Sequence, residues 1–161
     1  MGWQYVNCRN LTGSPVCGPN VIDLRSTYAY CVNLTGSAAC GDKVINMMGA
    51  YMNCFNLKTP ACGPKVQDMT VAYYNCVNLT SAVSGNKVLN MYGSYVFCNN
   101  IVGNPACGPN VYDFSMAYAN CTKMNGIAVC GNKVVNMAGT YMNCENLRGN
   151  PACGPNVVNM I

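Results

Sequence analysis

A tyrosine stands three residues before a cysteine seven times along this chain. The pairs are Tyr5 and Cys8, Tyr28 and Cys31, Tyr51 and Cys54, Tyr73 and Cys76, Tyr95 and Cys98, Tyr118 and Cys121, and Tyr141 and Cys144, spaced 22 or 23 residues apart. A period so short constrains the fold more than any composition does. One unit cannot bury an apolar face alone, so units must stack and share a continuous interior.

Other columns keep the same phase. A large aliphatic follows each cysteine by three residues: Leu11, Leu34, Leu57, Leu79, Ile101, Met124 and Leu147. A second cysteine column comes next, at Cys17, Cys40, Cys62, Cys107, Cys130 and Cys153, with Ser84 in the seventh place. An unvarying glycine follows it (Gly18, Gly41, Gly63, Gly85, Gly108, Gly131, Gly154), then a valine three residues on. Leu24, Met47, Met69, Met91, Phe114, Met137 or Met160 closes the unit.

The expected fold is a single repeat solenoid over 1–161. Its seven coils of 22–23 residues fall at approximately 1–23, 24–46, 47–68, 69–90, 91–113, 114–136 and 137–161. Apolar spacing in M-x-x-A-Y-x-N-C predicts a short helical turn in each coil. The stretches around the second cysteine and around N-V-x-N-M predict short parallel β-strands pairing between coils. At about 4.8 Å per coil the rod would be roughly 34 Å long. The glycine after the second cysteine is expected at a corner with positive φ, where a Cβ is costly.

The expected core ladder is the first cysteine column (Cys8, Cys31, Cys54, Cys76, Cys98, Cys121 and Cys144), the tyrosines Tyr28, Tyr51, Tyr73, Tyr95, Tyr118 and Tyr141, and the valines Val44, Val66, Val88, Val111 and Val134. A longer period of about 45 residues overlies the unit, since the eight prolines fall in alternate units as P-x-C-G-P (Pro15 and Pro19, Pro60 and Pro64, Pro105 and Pro109, Pro151 and Pro155). Proline cannot donate to a ladder, so this edge should be a loop or sheet border. Met1 falls on the methionine column and the chain stops one residue after Met160, which suggests whole units without polar caps and ends that stack on neighbours or on flanking sequence.

The pattern N-V-x-[DN]-M-x-x-A-Y-x-N-C-x-N-L-T-G resembles the BspA-type leucine-rich repeats, with Tyr where that family has Phe. The resemblance spans all seven units and implies a leucine-rich-repeat-like or β-solenoid fold. Members of that family look like surface proteins and adhesins, and similar arrays occur in phage tail-fibre-like proteins. The chain departs from the family between the leucine and the valine, where L-T-G-S-P-V-C-G-P replaces the usual strand.

Several function classes are excluded or weighed on composition. Lys and Arg total 9 and Asp and Glu total 5, with no basic run, so no nucleic-acid footprint is present. Charged residues make up 9% of the chain against about 25% in ordinary domains, so little on the surface opposes association. No apolar run is long enough to span a membrane, and the first residues do not form a signal peptide. Histidine is absent and the acids are only Asp23, Asp42, Asp68, Asp113 and Glu145, so no catalytic group, cofactor or metal is expected and the chain reads as non-enzymatic.

The cysteines admit three readings: a zinc set, disulfides along a column, or free thiols acting as small apolar ladder residues. The absence of C-x-x-C pairs and of histidine weighs against zinc, and the broken second column weighs against an obligate disulfide scheme. Asn10, Asn33 and Asn78 head glycosylation sequons, as does Asn120 beside the core, although a repeated asparagine can equally serve turn backbone groups.

The residue after each valine (Ile22, Ile45, Gln67, Leu89, Tyr112, Val135 and Val158) should point away from the valine column. Its apolar members, Ile22, Ile45, Leu89, Tyr112, Val135 and Val158, are candidates for lateral self-association. The expected role is a structural repeat protein contributing to a filament or fibre by end-to-end and lateral stacking, with itself as partner, outside a cell or on a cell or virion surface. The alternative is an adhesin or tail-fibre-like module that recognises a host surface glycan or protein through variable positions such as Arg9, Phe55, Asn99, Thr122 and Glu145.

Overall fold

The computed structural model describes residues 3–149 and 153–160; Met1, Pro151 and Ile161 lie outside the described residues. The chain is largely non-helical. Its two strands, β1 (Gly36–Ser37) and β2 (Leu57–Thr59), pair in parallel, with Gly36 opposite Leu57 and Ser37 opposite Thr59. Equivalent residues of successive units are also joined by single parallel bridges. Asp23 bridges Asn46, Asn46 bridges Asp68, Asp68 bridges Asn90, and the series continues through Asp113 and Asn136 to Asn159.

The stretch expected to be a short helical turn is a run of overlapping β-turns. In residues 47–57 the amides of Ala50, Met52, Cys54 and Leu57 each donate to the carbonyl three residues back, at 2.9 to 3.2 Å. The intervening amides of Met47, Gly49, Tyr51 and Asn53 donate instead to Asp68, Thr70, Ala72 and Tyr74 of the next unit, at 2.8 to 2.9 Å. An α-helix needs consecutive amides to bond within one segment. Here alternate amides leave the unit, and that is why no helix occurs among the described residues.

This path requires two left-handed corners per unit, four residues apart. The second corner holds Asn7, Asn53, Asn75, Asn120 and Asn143, with Tyr30 and Phe97 as exceptions. Asparagine tolerates this conformation better than other residues with a Cβ. From the second unit on, the first corner alternates between Ser26, Val71 or Met116 and the glycines Gly49, Gly93 and Gly139; Trp3 holds the first unit's corner. The alternation has a steric cause. A Cβ on Gly93 would stand 3.1 Å from Val71 Cγ1, and one on Gly139 would stand 2.6 Å from Met116 Sδ. The large corner residue of one unit leans over the bare corner of the next, which adds to the proline pattern in setting the longer period.

The expected strands around the second cysteine are not present among the described residues; β1 and β2 lie just before that position. Proline on either side of the cysteine, as at Pro60 and Pro64, removes the amides a ladder would use. The glycine column is corrected too. None of its seven members has positive φ. A Cβ on Gly63 would lie 2.7 Å from the carbonyl oxygen of Gly41, and one on Gly154 would lie 2.6 Å from that of Gly131. Glycine is needed because the equivalent backbone of the preceding unit comes too close for any side chain.

The interior is built of like on like. Tyr51, Tyr73, Tyr95, Tyr118, Leu57, Leu79, Met47, Met69 and Met91 are fully buried, together with Val44, Val66, Val88, Val111 and Val134. Each such side chain contributes roughly 1.5–3 kcal/mol on leaving water. Successive tyrosine rings from Tyr5 to Tyr141 stack nearly parallel, with centroids 5.2 to 6.0 Å apart.

Candidate functional site

The two cysteine columns do different work. In the first column each thiol from Cys31 onward donates to the tyrosine carbonyl of the preceding unit: Cys31 to Tyr5 at 2.9 Å, Cys54 to Tyr28 at 3.0 Å, Cys76 to Tyr51 at 2.9 Å, and Cys98 to Tyr73 at 3.1 Å. Cys121 and Cys144 repeat the contact on Tyr95 and Tyr118. Burial pushes the Cys54 thiol up to about 12 and holds Cys76 and Cys98 well above the ordinary thiol range. Cys8 is only partly covered, at the first end of the stack. All the cysteines are free.

In the second column the sulfur is an acceptor. The amide of Gly41 donates to Cys17 Sγ at 3.2 Å and that of Gly63 to Cys40 Sγ at 3.1 Å. Gly85, Gly131 and Gly154 engage Cys62, Cys107 and Cys130 in the same way. Ser84 fits this role, since its Oγ accepts from the Gly108 amide at 3.1 Å. Among the described residues no three His, Cys, Asp or Glu side chains form a metal-ligand set.

The tyrosine hydroxyls supply what the missing strands do not. Tyr51, Tyr73, Tyr95 and Tyr118 each donate to the carbonyl of the residue twelve positions earlier (Ala39, Ala61, Val83 and Ala106) and accept from the amide of that same residue. Tyr28 donates to Val16 and Tyr141 to Val129, both at 2.6 Å. The phenol thus braces the loop that carries the second cysteine. A phenylalanine could fill the same space but could not make this bond.

The asparagines form polar ladders. Asn75 Nδ2 donates to Asn53 Oδ1 at 2.8 Å and Asn143 Nδ2 to Asn120 Oδ1 at 2.8 Å. Of the sequon residues, Asn33 Nδ2 donates to the Arg9 carbonyl at 2.8 Å and Asn78 Nδ2 to Asn56 Oδ1 at 3.4 Å, while Asn10 is exposed. A glycan on Asn33 or Asn78 would replace one of the two hydrogens on a nitrogen that already donates. The bridging Asp and Asn column makes a tight side-chain turn at each unit: Asn46 Oδ1 accepts from the Met48 amide and Asp68 Oδ1 from the Thr70 amide. Among the variable positions Arg9, Phe55 and Glu145 are exposed, and Asn99 and Thr122 are half-buried.

The residues after the valines form one exposed file. The Ile45 amide donates to the Ile22 carbonyl, Gln67 to Ile45, Leu89 to Gln67, Tyr112 to Leu89, Val135 to Tyr112 and Val158 to Val135, all at 2.8 to 2.9 Å. Their side chains face solvent: Ile22 is 56% exposed, Leu89 41%, Tyr112 50% and Val135 43%. Backbone pairing holds these side chains in line, which makes a straight apolar stripe with one polar member, Gln67. No helix among the described residues is long and apolar enough to cross a membrane.

Comparison with known proteins adds no relative: no family model, curated protein or solved structure matches this chain.

Proposed function

We propose that the seven units wind as seven coils of one solenoid and that the protein serves as a structural repeat module that associates with itself. The winding is supported by the unbroken series of parallel bridges from Asp23 to Asn159 and by the tyrosine stack running beside it. The observation that carries the role is the exposed stripe from Ile22 to Val158. Contiguous apolar surface held straight by backbone hydrogen bonds is a lateral contact surface, and the low charge of the chain leaves little to oppose it. Stacking of further coils on the ends would extend the same contacts in the other direction. The placement outside a cell or on a virion, and the use in a filament or fibre, rest on the resemblance to surface repeat families.

Sedimentation over a wide concentration range, with negative-stain microscopy of the same samples, tests the reading. The wild-type chain is expected to form laterally paired or longer species. Replacing Leu89 and Tyr112 with lysine should return it to smaller particles without unfolding it. A wild-type chain that stays monomeric at high concentration overturns the self-association reading, and discrete particles that bind host glycans would favour an adhesin.

A further inference from the structure

Two of the four non-glycine residues at the first left-handed corner and one of the exceptions at the second converge on a single groove. Val71, Phe97 and Met116 line it with Tyr74, Tyr92, Gly93 and Met142; its volume is about 220 Å³. Strained backbone that the rest of a repeat avoids marks sites where the side chain itself is needed. Other units place asparagine where Phe97 stands and glycine where Met116 stands. The coil requires the left-handed corner, but it does not require a bulky side chain there.

The chemistry of the groove selects its occupant. No charged side chain lines it, so a charged ligand would lose its hydration without gaining a partner. The Tyr74 and Phe97 rings meet edge to face at 5.8 Å and present a prepared aromatic surface. Tyr92 and Phe97 are 45% and 39% exposed, which leaves ring area for a guest to cover. An apolar cavity of about 150 Å³ already holds benzene, so this groove has room for one or two fused rings. The bare corner at Gly93 falls between the bulky corners Val71 and Met116 of the units on either side.

We propose that this groove is a binding site for a small, uncharged, planar aromatic molecule, seated over Gly93 between Val71 and Met116 and against the Tyr74–Phe97 pair. The proposal is independent of self-association through the Ile22–Val158 stripe.

Indole is the probe, followed by the methyl NMR signals of Met116 and Met142 and by calorimetry. Saturable binding that shifts both methyl signals is expected for the wild type. Indole-3-carboxylate, the charged analogue, should bind about tenfold more weakly or worse, a difference of about 1.4 kcal/mol. Phe97→Asn and Met116→Gly restore residues that other units use, so both variants should stay folded, read by circular dichroism, while losing indole binding at least about tenfold. The proposal is overturned if wild type shows no saturable shift, if the carboxylate binds as well as indole, or if a folded Phe97→Asn variant binds indole as wild type does.

Discussion

The phenol of Tyr73 donates a hydrogen bond to the Ala61 carbonyl at 2.6 Å and accepts one from the Ala61 amide at 2.9 Å. One side chain therefore satisfies both polar groups of a residue twelve positions away, in a loop that has no strand partner to do so. Pro60 stands just before that residue and cannot donate.

Removing the hydroxyl tests the brace. Tyr73→Phe keeps the stacked ring but leaves the Ala61 amide and carbonyl unpaired. The expected loss is about 2 kcal/mol, read as a melting temperature lower by roughly 5 °C. An unchanged denaturation midpoint would show that the hydroxyl only fills space.

The glycine column is explained by close approach, and two substitutions separate that cause from backbone strain. Gly63→Ala drives a Cβ to 2.7 Å from the Gly41 oxygen and should cost about 3 kcal/mol or prevent folding. Gly18→Ala meets nothing nearer than 3.7 Å and should change stability by less than about 0.5 kcal/mol. Chemical denaturation of the two variants side by side decides it, and equal costs would refute the steric account.

Ser84 in a column of cysteines points to the acceptor as the feature that matters. Cys62→Ser retains an atom for the Gly85 amide and should stay within about 1 kcal/mol of wild type, whereas Cys62→Ala should lose about 1–2 kcal/mol more by stranding that amide. Ser84→Cys should be close to neutral. If serine and alanine at position 62 prove equally damaging, the sulfur acts by packing alone.

Buried thiols make the fold sensitive to base. The Cys54 pKa is raised by burial from its ordinary value of 9.0 to about 12, and Cys76 and Cys98 are raised in the same direction. An unfolded chain releases these protons first, so the unfolded state binds fewer protons above pH 9 and stability falls with rising pH. The contribution is fully present below about 9 and is lost as pH climbs toward about 12. Unfolding monitored by circular dichroism should show this alkaline decline. A thiol reagent at pH 8 should label exposed Cys153 quickly and Cys76 only after denaturant is added. Rapid labelling of Cys76 in the native chain would contradict its burial.

Much of the arrangement could be read from spacing. The phase that puts Tyr51, Tyr73 and Tyr95 in one file and Ile45, Leu89 and Tyr112 in another is visible in the string, because repeated contacts demand repeated residues. The local path was less legible. The i, i+3, i+4 pattern of M-x-x-A-Y suggests a helix, yet turns with alternate amides sent to the next unit give the same spacing. The signal that could have revealed them is the asparagine before the first-column cysteines, at Asn7, Asn53, Asn75, Asn120 and Asn143, where a left-handed corner falls. The groove at Phe97 lay hidden for a related reason: a departure from the repeat has no visible cost until the backbone conformation at that position is known.

The sequence by itself determined the period, the membership of each column and the poverty of charge, because these are properties of covalent order. Only the tertiary structure decided what each column does. The Cys76 thiol is a donor because a Tyr51 carbonyl lies above it, Cys40 Sγ is an acceptor because the Gly63 amide reaches it, and Gly63 must be bare because the Gly41 oxygen is close. Each partner sits roughly one repeat length away along the chain, so its direction and distance exist only once one unit lies on the next.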